Sequence, residues 1–373
     1  MIAFKLPSLG ADMDEGTLLE WRVKPGDQVK RGDVVAVVDT TKTAVDVEIW
    51  ETGTLFEILV HPGEKIPVGT VIATLLAPGE VLSPGEIPPA RIAEPAATGV
   101  SQRRPVSPAA RKHAEELGVN LDQVTGTGPG GAVTVEDVIK AAGGHPQDKA
   151  ADMRRTIAIA MSRSKREIPH YYLSETIALG NAVAWLSKVN ADRPVIERIL
   201  MAALFLKAVA RAAGQYPEMN GFYRDGQFSQ AAAVHVGVAI SLRGAALGGG
   251  LIAPALHDVA EKTPGEVMKG LSNLVQRARA GSLKSSELSD PTITVTNLGD
   301  QGVESVFGVI YPPQVALVGF GRICERPWAL NGEIKLMPVV TASLAADHRV
   351  SDGHRGALFL ARIRELLLRP EDL

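Results

Sequence analysis

A single cysteine, Cys324, stands among the 373 residues. No disulfide can form within the chain and no cysteine cluster can hold a metal, which fits a reducing compartment. Neither sign of charge is in excess: 39 Lys+Arg against 42 Asp+Glu give a formal net charge of -3. That balance leaves no electrostatic case for nucleic acid or an anionic membrane. Long apolar runs are also missing. The longest, Ile199 to Ala213, is broken by Lys207 and Arg211 and falls short of the ~20 residues that a bilayer requires. It reads as a buried helix. The opening MIAFKLPSLG runs straight into patterned sequence with no signal-peptide core, so the cytoplasm is the expected location. The length exceeds what one ordinary core fills, and two or three domains are expected.

The amino-terminal part contains an internal repeat. EGTLLEWRVKPGDQVKRGDVVAVV, from Glu15, aligns without gaps on TGTLFEILVHPGEKIPVGTVIATL, from Thr52. Gly16, Leu18, Glu20, Pro25, Gly26, Gly32 and Ala36 find identical partners in Gly53, Leu55, Glu57, Pro62, Gly63, Gly69 and Ala73. Short β-branched runs separated by Pro-Gly and Gly turns are a strand signature, and two copies suggest an all-β sandwich with approximate two-fold symmetry. Between the copies, Asp39-Thr40-Thr41-Lys42-Thr43 separates two apolar runs. A turn there presents Lys42 at its tip, where an ordinary solvated charge is the simplest reading.

The duplicated frame changes that reading. Residues 1–78 resemble the lipoyl domains of 2-oxo acid dehydrogenase complexes, which implies covalent lipoate on Lys42. The family's Asp before the lysine and Ala after it are replaced here by Thr41 and Thr43. Biotin is the alternative cofactor, but a biotin carrier would show Met at both flanks.

Residues 79–104, with Pro84, Pro88, Pro89 and Pro95, cannot bury a core and read as an extended linker. In 105–142, Ser107, Pro108 and Gly118 frame a first helix. Thr134 and Asp137 have capping-box-like spacing for a second, ended by Gly143. The glycine-rich loop 126–131 between them lacks the Gly-Lys-Ser/Thr ending of a phosphate-binding P-loop. This segment resembles the peripheral subunit-binding domain of the same complexes. The resemblance implies docking of the thiamine-dependent 2-oxo acid decarboxylase or the dihydrolipoamide dehydrogenase, with Arg111 among the contacts. Ala132 stands where the family usually has Arg. A plain helical spacer is the alternative.

A second linker, 143–152, leads into residues 153–373. Helical patterns over Met153–Lys165, Val195–Ala213, Pro264–Ala280 and Gly356–Leu368 alternate with apolar runs at Val234–Leu242, Thr292–Asn297, Gln314–Gly319 and Val339–Ala345. An α/β domain with a large mixed sheet is expected. After the last run, a polar loop carries His348, Arg349 and Asp352. Histidine titrates near neutrality and suits a general base, although Asp352 could simply cap the next helix.

His348-Arg-Val-Ser-Asp-Gly353 resembles the active-site signature of dihydrolipoamide acyltransferases and of chloramphenicol acetyltransferases. IPHYYL from Ile168, GLIAPALHD from Gly250, VTNLG from Val295 and PPQVALVGFG from Pro312 are similar to the same family. The implied architecture is multidomain: an all-β lipoyl sandwich, a small helical subunit-binding domain and an α/β chloramphenicol acetyltransferase-like catalytic domain. The implied reaction is acyl transfer from dihydrolipoyl-Lys42 to coenzyme A, acetyl by default, with succinyl and branched-chain enzymes sharing these signatures. His348 would be the base, and Asp352 with Arg349 would organise the loop. Alternation puts Thr292, Thr294 and Thr296 on one face and does not choose among them; the family's Ser or Thr before Asn selects Thr296 as oxyanion donor. The resemblance also implies trimers with active sites at subunit interfaces, assembled into larger hollow cores. The rivals are a non-catalytic lipoyl-bearing scaffold, disfavoured because His348, Asp352 and Thr296 are present, and an antibiotic acetyltransferase, which needs no carrier domain.

Overall fold

The computed structural model describes residues 1–7, 15–40, 44–77, 146–242 and 250–373, with scattered positions between 106 and 138. Lys42 with Thr41 and Thr43, the linker 79–104, the helix-framing Ser107, Pro108, Gly118 and Gly143, and positions 127–131 of the glycine-rich loop lie outside the described residues.

The amino-terminal domain has strands β1 (Ile2–Lys5), β2 (Glu15–Trp21), β3 (Gln28–Val29), β4 (Val34–Asp39), β5 (Ala44–Glu48), β6 (Gly53–Ile58), β7 (Lys65–Pro67) and β8 (Val71–Leu76). The repeat maps β2, β3 and β4 onto β6, β7 and β8. Each copy lends its short strand to the other's sheet: one sheet runs β1-β8-β6-β3, and the other contains β5-β4-β2-β7. The repeated glycines are explained by the backbone, since Gly26 and Gly63 (φ 97 and 93) and Gly32 and Gly69 (φ 90 and 86) occupy the left-handed region that a side chain disfavours. Leu18 and Leu55, Val29 and Ile66, and Ala36 and Ala73 meet in one core. Strands β4 and β5 are antiparallel and close with Asp39 opposite Ala44; Lys42 falls between these two positions in sequence.

In the small middle segment, Ala110, Ala114, Val124, Val133 and Val138 form a separate core. The expected capping interaction is present: Thr134 N and Oγ1 both donate to Asp137 Oδ2 (2.9 Å each), and Asp137 N donates to Thr134 Oγ1 (3.3 Å).

The carboxy-terminal domain opens with helix α1 (Pro146–Glu167), so the helix expected from Met153 starts inside the segment read as the second linker. Strands β9 (His170–Ala178), β10 (Gly221–Arg224), β11 (Gln227–Gln230), β12 (Val236–Val238), β13 (Ile240–Ser241), β14 (Leu251–Ile252), β15 (Ala255–Leu256), β16 (Leu283–Lys284), β17 (Ile293–Asn297), β18 (Ala316–Phe320), β19 (Cys324–Leu330) and β20 (Glu333–Asp347) alternate with helices α2 (Gly180–Val189), α3 (Met201–Gln215), α4 (Pro264–Ala280), α5 (Ser285–Ser289) and α6 (Gly353–Leu368). Seven strands form a mixed sheet in the order β15-β12-β17-β18-β20-β19, with β9 on the other flank of β20. The expected single strand Val234–Leu242 is broken into β12 and β13, and the helix expected from Val195 begins as a short 3-10 turn, Val195–Glu197, before α3.

The apolar run of α3 is buried as expected. Lys207 within it is only 3 % exposed and survives there by donating to the carbonyls of Ala260 (2.6 Å) and Val259 (3.4 Å), because a buried ammonium needs acceptors. Phe205 of α3 stacks on Phe320 of β18, with centroids 4.2 Å apart and planes 5° apart. Both rings are at most 2 % exposed. Phe320→Ala is expected to lower stability by about 3–5 kcal/mol, measured by urea unfolding of the catalytic domain's transition. A midpoint unchanged from wild type would show that this stack does not hold helix to sheet.

Candidate active site

Strand β20 ends in a fully buried carboxylate. Asp347 is 0 % exposed, a costly position for a charge unless it is paired. Arg349 supplies the pairing: its backbone N donates to Oδ1 (2.9 Å), Nε donates to Oδ1 (2.9 Å) and Oδ2 (3.1 Å), and Nη2 donates to Oδ2 (2.6 Å). The planar guanidinium suits such a fork, and it lies 3.9 Å from the centroid of the Tyr223 ring. The amides of Val350 and Ser351 return to the Asp347 carbonyl (3.0 and 3.1 Å), which closes a tight turn.

His348 sits at the corner of that turn, exposed. Its amide donates to the Pro169 carbonyl (3.0 Å), and its ring meets Tyr171 edge-on at 5.2 Å and 67°. Tyr171 is itself held by a 2.8 Å hydrogen bond between its hydroxyl and Ser351 Oγ. Burial pushes the phenol's pKa up, so it stays neutral. The backbone of His348 is thus fixed on both sides while its imidazole faces outward.

Asp352 caps α6, accepting from the Arg355 amide (3.0 Å). Backbone hydrogen bonding from Arg355 holds its carboxyl below the usual range. The joint role expected of Asp352 and Arg349 is therefore divided. Arg349 engages Asp347 and not Asp352, because the buried carboxylate is the one that requires a cation, whereas Asp352 organises the helix start.

The three threonines of β17 are separated by their partners. Thr292 Oγ1 donates to Asn220 Oδ1 (2.5 Å) and accepts from His235 N (3.0 Å); Thr294 Oγ1 donates to Gln314 Oε1 (2.7 Å). Both are 3 % exposed. Thr296 is half-buried, and its hydroxyl is the one of the three with no hydrogen-bond partner among the described residues. A hydroxyl meant for a transient oxyanion must be unspent in this way.

Thr296 and His348 do not meet within one chain. Across the sheet Thr296 lies beside Gly319 of β18, and Gly319 faces Ser343 of β20. His348 follows Ser343 by five residues. At ~3.3 Å per residue along a strand and ~4.8 Å between strands, the two positions are on the order of 15–20 Å apart. No single substrate carbonyl and thiol can bridge that gap.

Sequence reasoning passed over Asp347, Tyr171, Tyr223 and His170. An aspartate next to a loop histidine looks solvent-exposed, and only the packing reveals that it is buried. Arg111 lies exposed at a helical position, while Ala132 is half-buried. Among the described residues, no group of His, Cys, Asp and Glu could hold a metal, and no helix is long and apolar enough to cross a membrane.

His170 pins the neighbouring loop as a neutral ring. Its Nδ1 lies 2.9 Å from the Ile168 carbonyl and its Nε2 accepts from the Ile310 amide (3.1 Å), so the proton belongs on Nδ1. Burial lowers its pKa, and burial also lowers that of His235. Because the folded values lie below the ordinary ~6.5, the unfolded chain takes up protons first as pH falls. Their contribution is complete above that pH and is lost on acidification through the folded values. The catalytic domain's thermal midpoint is expected to fall between about pH 7.5 and 5.5, and His170→Gln to reduce that slope. An identical slope in the variant would exclude His170 as a source.

The carboxy-terminal domain matches the family model described as 2-oxoacid dehydrogenases acyltransferase (catalytic domain) over residues 144–373. A model described as biotin-requiring enzyme matches residues 2–75, and an e3 binding domain matches 104–139. The lipoamide acyltransferase component of the branched-chain alpha-keto acid dehydrogenase complex of Bacillus subtilis is 29 % identical, over 97 % of this chain and 96 % of that protein. The acetyltransferase component of the pyruvate dehydrogenase complex of Zymomonas mobilis is likewise 29 % identical, over 99 % and 98 %. Among solved structures, a probable dihydrolipoamide acetyltransferase from Listeria monocytogenes aligns with a TM-score of 0.54 at 27 % identity, covering 58 % of this chain and 91 % of that one. Covalent lipoate is the cofactor that goes with such a carrier domain. The chain belongs to the 2-oxoacid dehydrogenase acyltransferases, the core acyltransferases of 2-oxo acid dehydrogenase complexes, with its carrier and E3-binding domains ahead of the catalytic domain.

Proposed function

We propose that this protein transfers an acetyl group to coenzyme A, with Lys42 as the lipoyl attachment point, His348 as general base and Thr296 as oxyanion donor. The observation that carries the reading is the outward-facing imidazole of His348 on a turn locked by the buried Asp347–Arg349 pair. The lipoyl group, when bound, supplies the acyl thioester. His348 takes the proton of the coenzyme A thiol, so that a thiolate forms at the carbonyl, and then returns a proton to the departing sulfur. Thr296 donates a hydrogen bond to the carbonyl oxygen as it becomes anionic. Asp352 sets the start of α6 and Arg349 sets the turn; neither handles the proton. Arg111 is the proposed contact for the decarboxylase or the dihydrolipoamide dehydrogenase.

The separation of Thr296 from His348 supports a site completed by a second copy, as in a trimer. Apolar side chains left in water support the same reading: Val195 is 79 %, Ile196 92 %, Ile334 80 % and Leu336 70 % exposed. A branched-chain substrate is the second reading, favoured by the Bacillus subtilis relative. Rates with acetyl-, isobutyryl- and succinyl-coenzyme A decide between them.

His348→Ala is expected to lose ~10²–10⁴ in turnover with free dihydrolipoamide, and Thr296→Ala ~10²–10³. Co-assembly of the two inactive variants should restore measurable activity, because some interfaces then combine an intact His348 with an intact Thr296. A His348→Ala chain at near-normal rate would sink the assignment. No recovery on co-assembly would place both groups in one chain. Intact-mass measurement after expression with lipoate, repeated on Lys42→Arg, tests the attachment site.

A further inference from the structure

The corner formed by α4, β16 and α5 holds the amino-terminal domain by strand addition. β16 pairs in parallel with β5, Leu283 beside Val45 and Lys284 beside Asp46. Strand β5 is otherwise the edge of its sheet, and β16 pairs with no other strand among the described residues. Edge strands carry unpaired amides and carbonyls that recruit a partner strand. Leu288 of α5 packs against the cores of both domains.

Glu48, the last residue of β5, is 5 % exposed. Its Oε1 accepts from Lys284 Nζ (3.0 Å), and its Oε2 accepts from Ser286 Oγ (2.6 Å) and Ser286 N (3.4 Å); its own amide donates to Ser285 Oγ (3.2 Å). Every one of these partners belongs to the catalytic domain. A carboxylate buried without donors is costly, so this seat is favourable for Glu48 only when the corner is in place.

The corner is built without help from its guest. Helix α4 begins with a capping box, Thr263 with Glu266, and ends at Gly281 in the left-handed region (φ 71). Arg277 is forked onto the buried Glu287, and Glu287 Oε2 accepts from the Lys284 amide (2.9 Å). Lys284 and Ser286 are therefore presented in fixed positions, and a rigid receptor loses little entropy on binding.

We propose that this corner is a dedicated docking site for the protein's own carrier domain, with Glu48 as its recognition residue. Strand β5 starts at Ala44, two positions after Lys42 in sequence. Docking therefore holds the carrier domain on the acyltransferase and competes with its visits to partner enzymes. That consequence rests on the carrier reading of Lys42; the contact itself does not. A contact of two paired residues, one carboxylate and the apolar Leu288 is small beside stable interfaces, which suits reversible docking.

The test uses the full-length assembly, both unmodified and lipoylated. Carbodiimide should couple Glu48 to Lys284, detected as a single cross-linked peptide by mass spectrometry. Amide resonances of the carrier domain should be broadened with the whole particle in wild type, and Lys284→Glu should restore narrow lines. The swap Glu48→Lys with Lys284→Glu should return the broadening, a rescue that misfolding cannot mimic. Narrow lines in wild type with no cross-link, or unchanged broadening in Lys284→Glu, would overturn the proposal. Because both readouts are taken without turnover, a failure of the proposed chemistry leaves them interpretable.

Discussion

Asp347 is a charged group with no access to water, and the geometry around His348 follows from that. Leaving such a carboxylate unpaired would cost several kcal/mol, so Arg349 is drawn back over the turn, and its fork makes three donor contacts to the two oxygens while its backbone amide makes a fourth. With the residues on either side of it committed, His348 has one place to stand, and its backbone is tied to Pro169 on β9's approach. Tyr223 lies against the guanidinium and Tyr171 flanks the imidazole. The proposed base needs no carboxylate of its own, because its position comes from the neighbour that precedes it in sequence.

The same sheet sets a condition on the proposed pairing of Thr296 with His348. Strand register holds Thr296 away from the end of β20 that leads to His348, because β17 pairs with β18 and β18 with β20. No side-chain motion closes a gap of that size without breaking the ladder. A second copy can bring the other group across, and the exposed Val195, Ile196, Ile334 and Leu336 give self-association a hydrophobic driving force. In the proposed mechanism, oligomerisation and chemistry are then one requirement.

Much of the architecture was legible because the sequence repeats itself. The paired glycines of the amino-terminal domain read as turns and prove to have positive φ in both copies. The helix over Pro264–Ala280 carries its own start and stop signals and is found at those bounds. Strands β9 and β19 were passed over, since His170–Ala178 shows partial burial with no clean alternation and Cys324–Leu330 is a largely exposed edge. At the site, periodicity offered three threonines on one face. Only their partners, Asn220 for Thr292 and Gln314 for Thr294, separate the two structural hydroxyls from the unspent one. Those partners come from distant segments, and local sequence carries no record of them. Asp347 was missed for the same reason: burial is a property of the assembled sheet.

The carrier domain poses a balance between tether and dock. A Pro- and Ala-rich linker confines the domain at an effective concentration that is of the order of mM, so even a weak contact is appreciably occupied. A strong one would be counterproductive, since a carrier domain must leave to be recharged elsewhere. Two paired residues supply little discrimination by themselves; the buried Glu48 supplies it, because the wrong domain would bring either no carboxylate or an unpaired one. A buried charge pair of this kind adds more to specificity than to affinity. That is the property required of a site which must recognise its own carrier, release it and recognise it again.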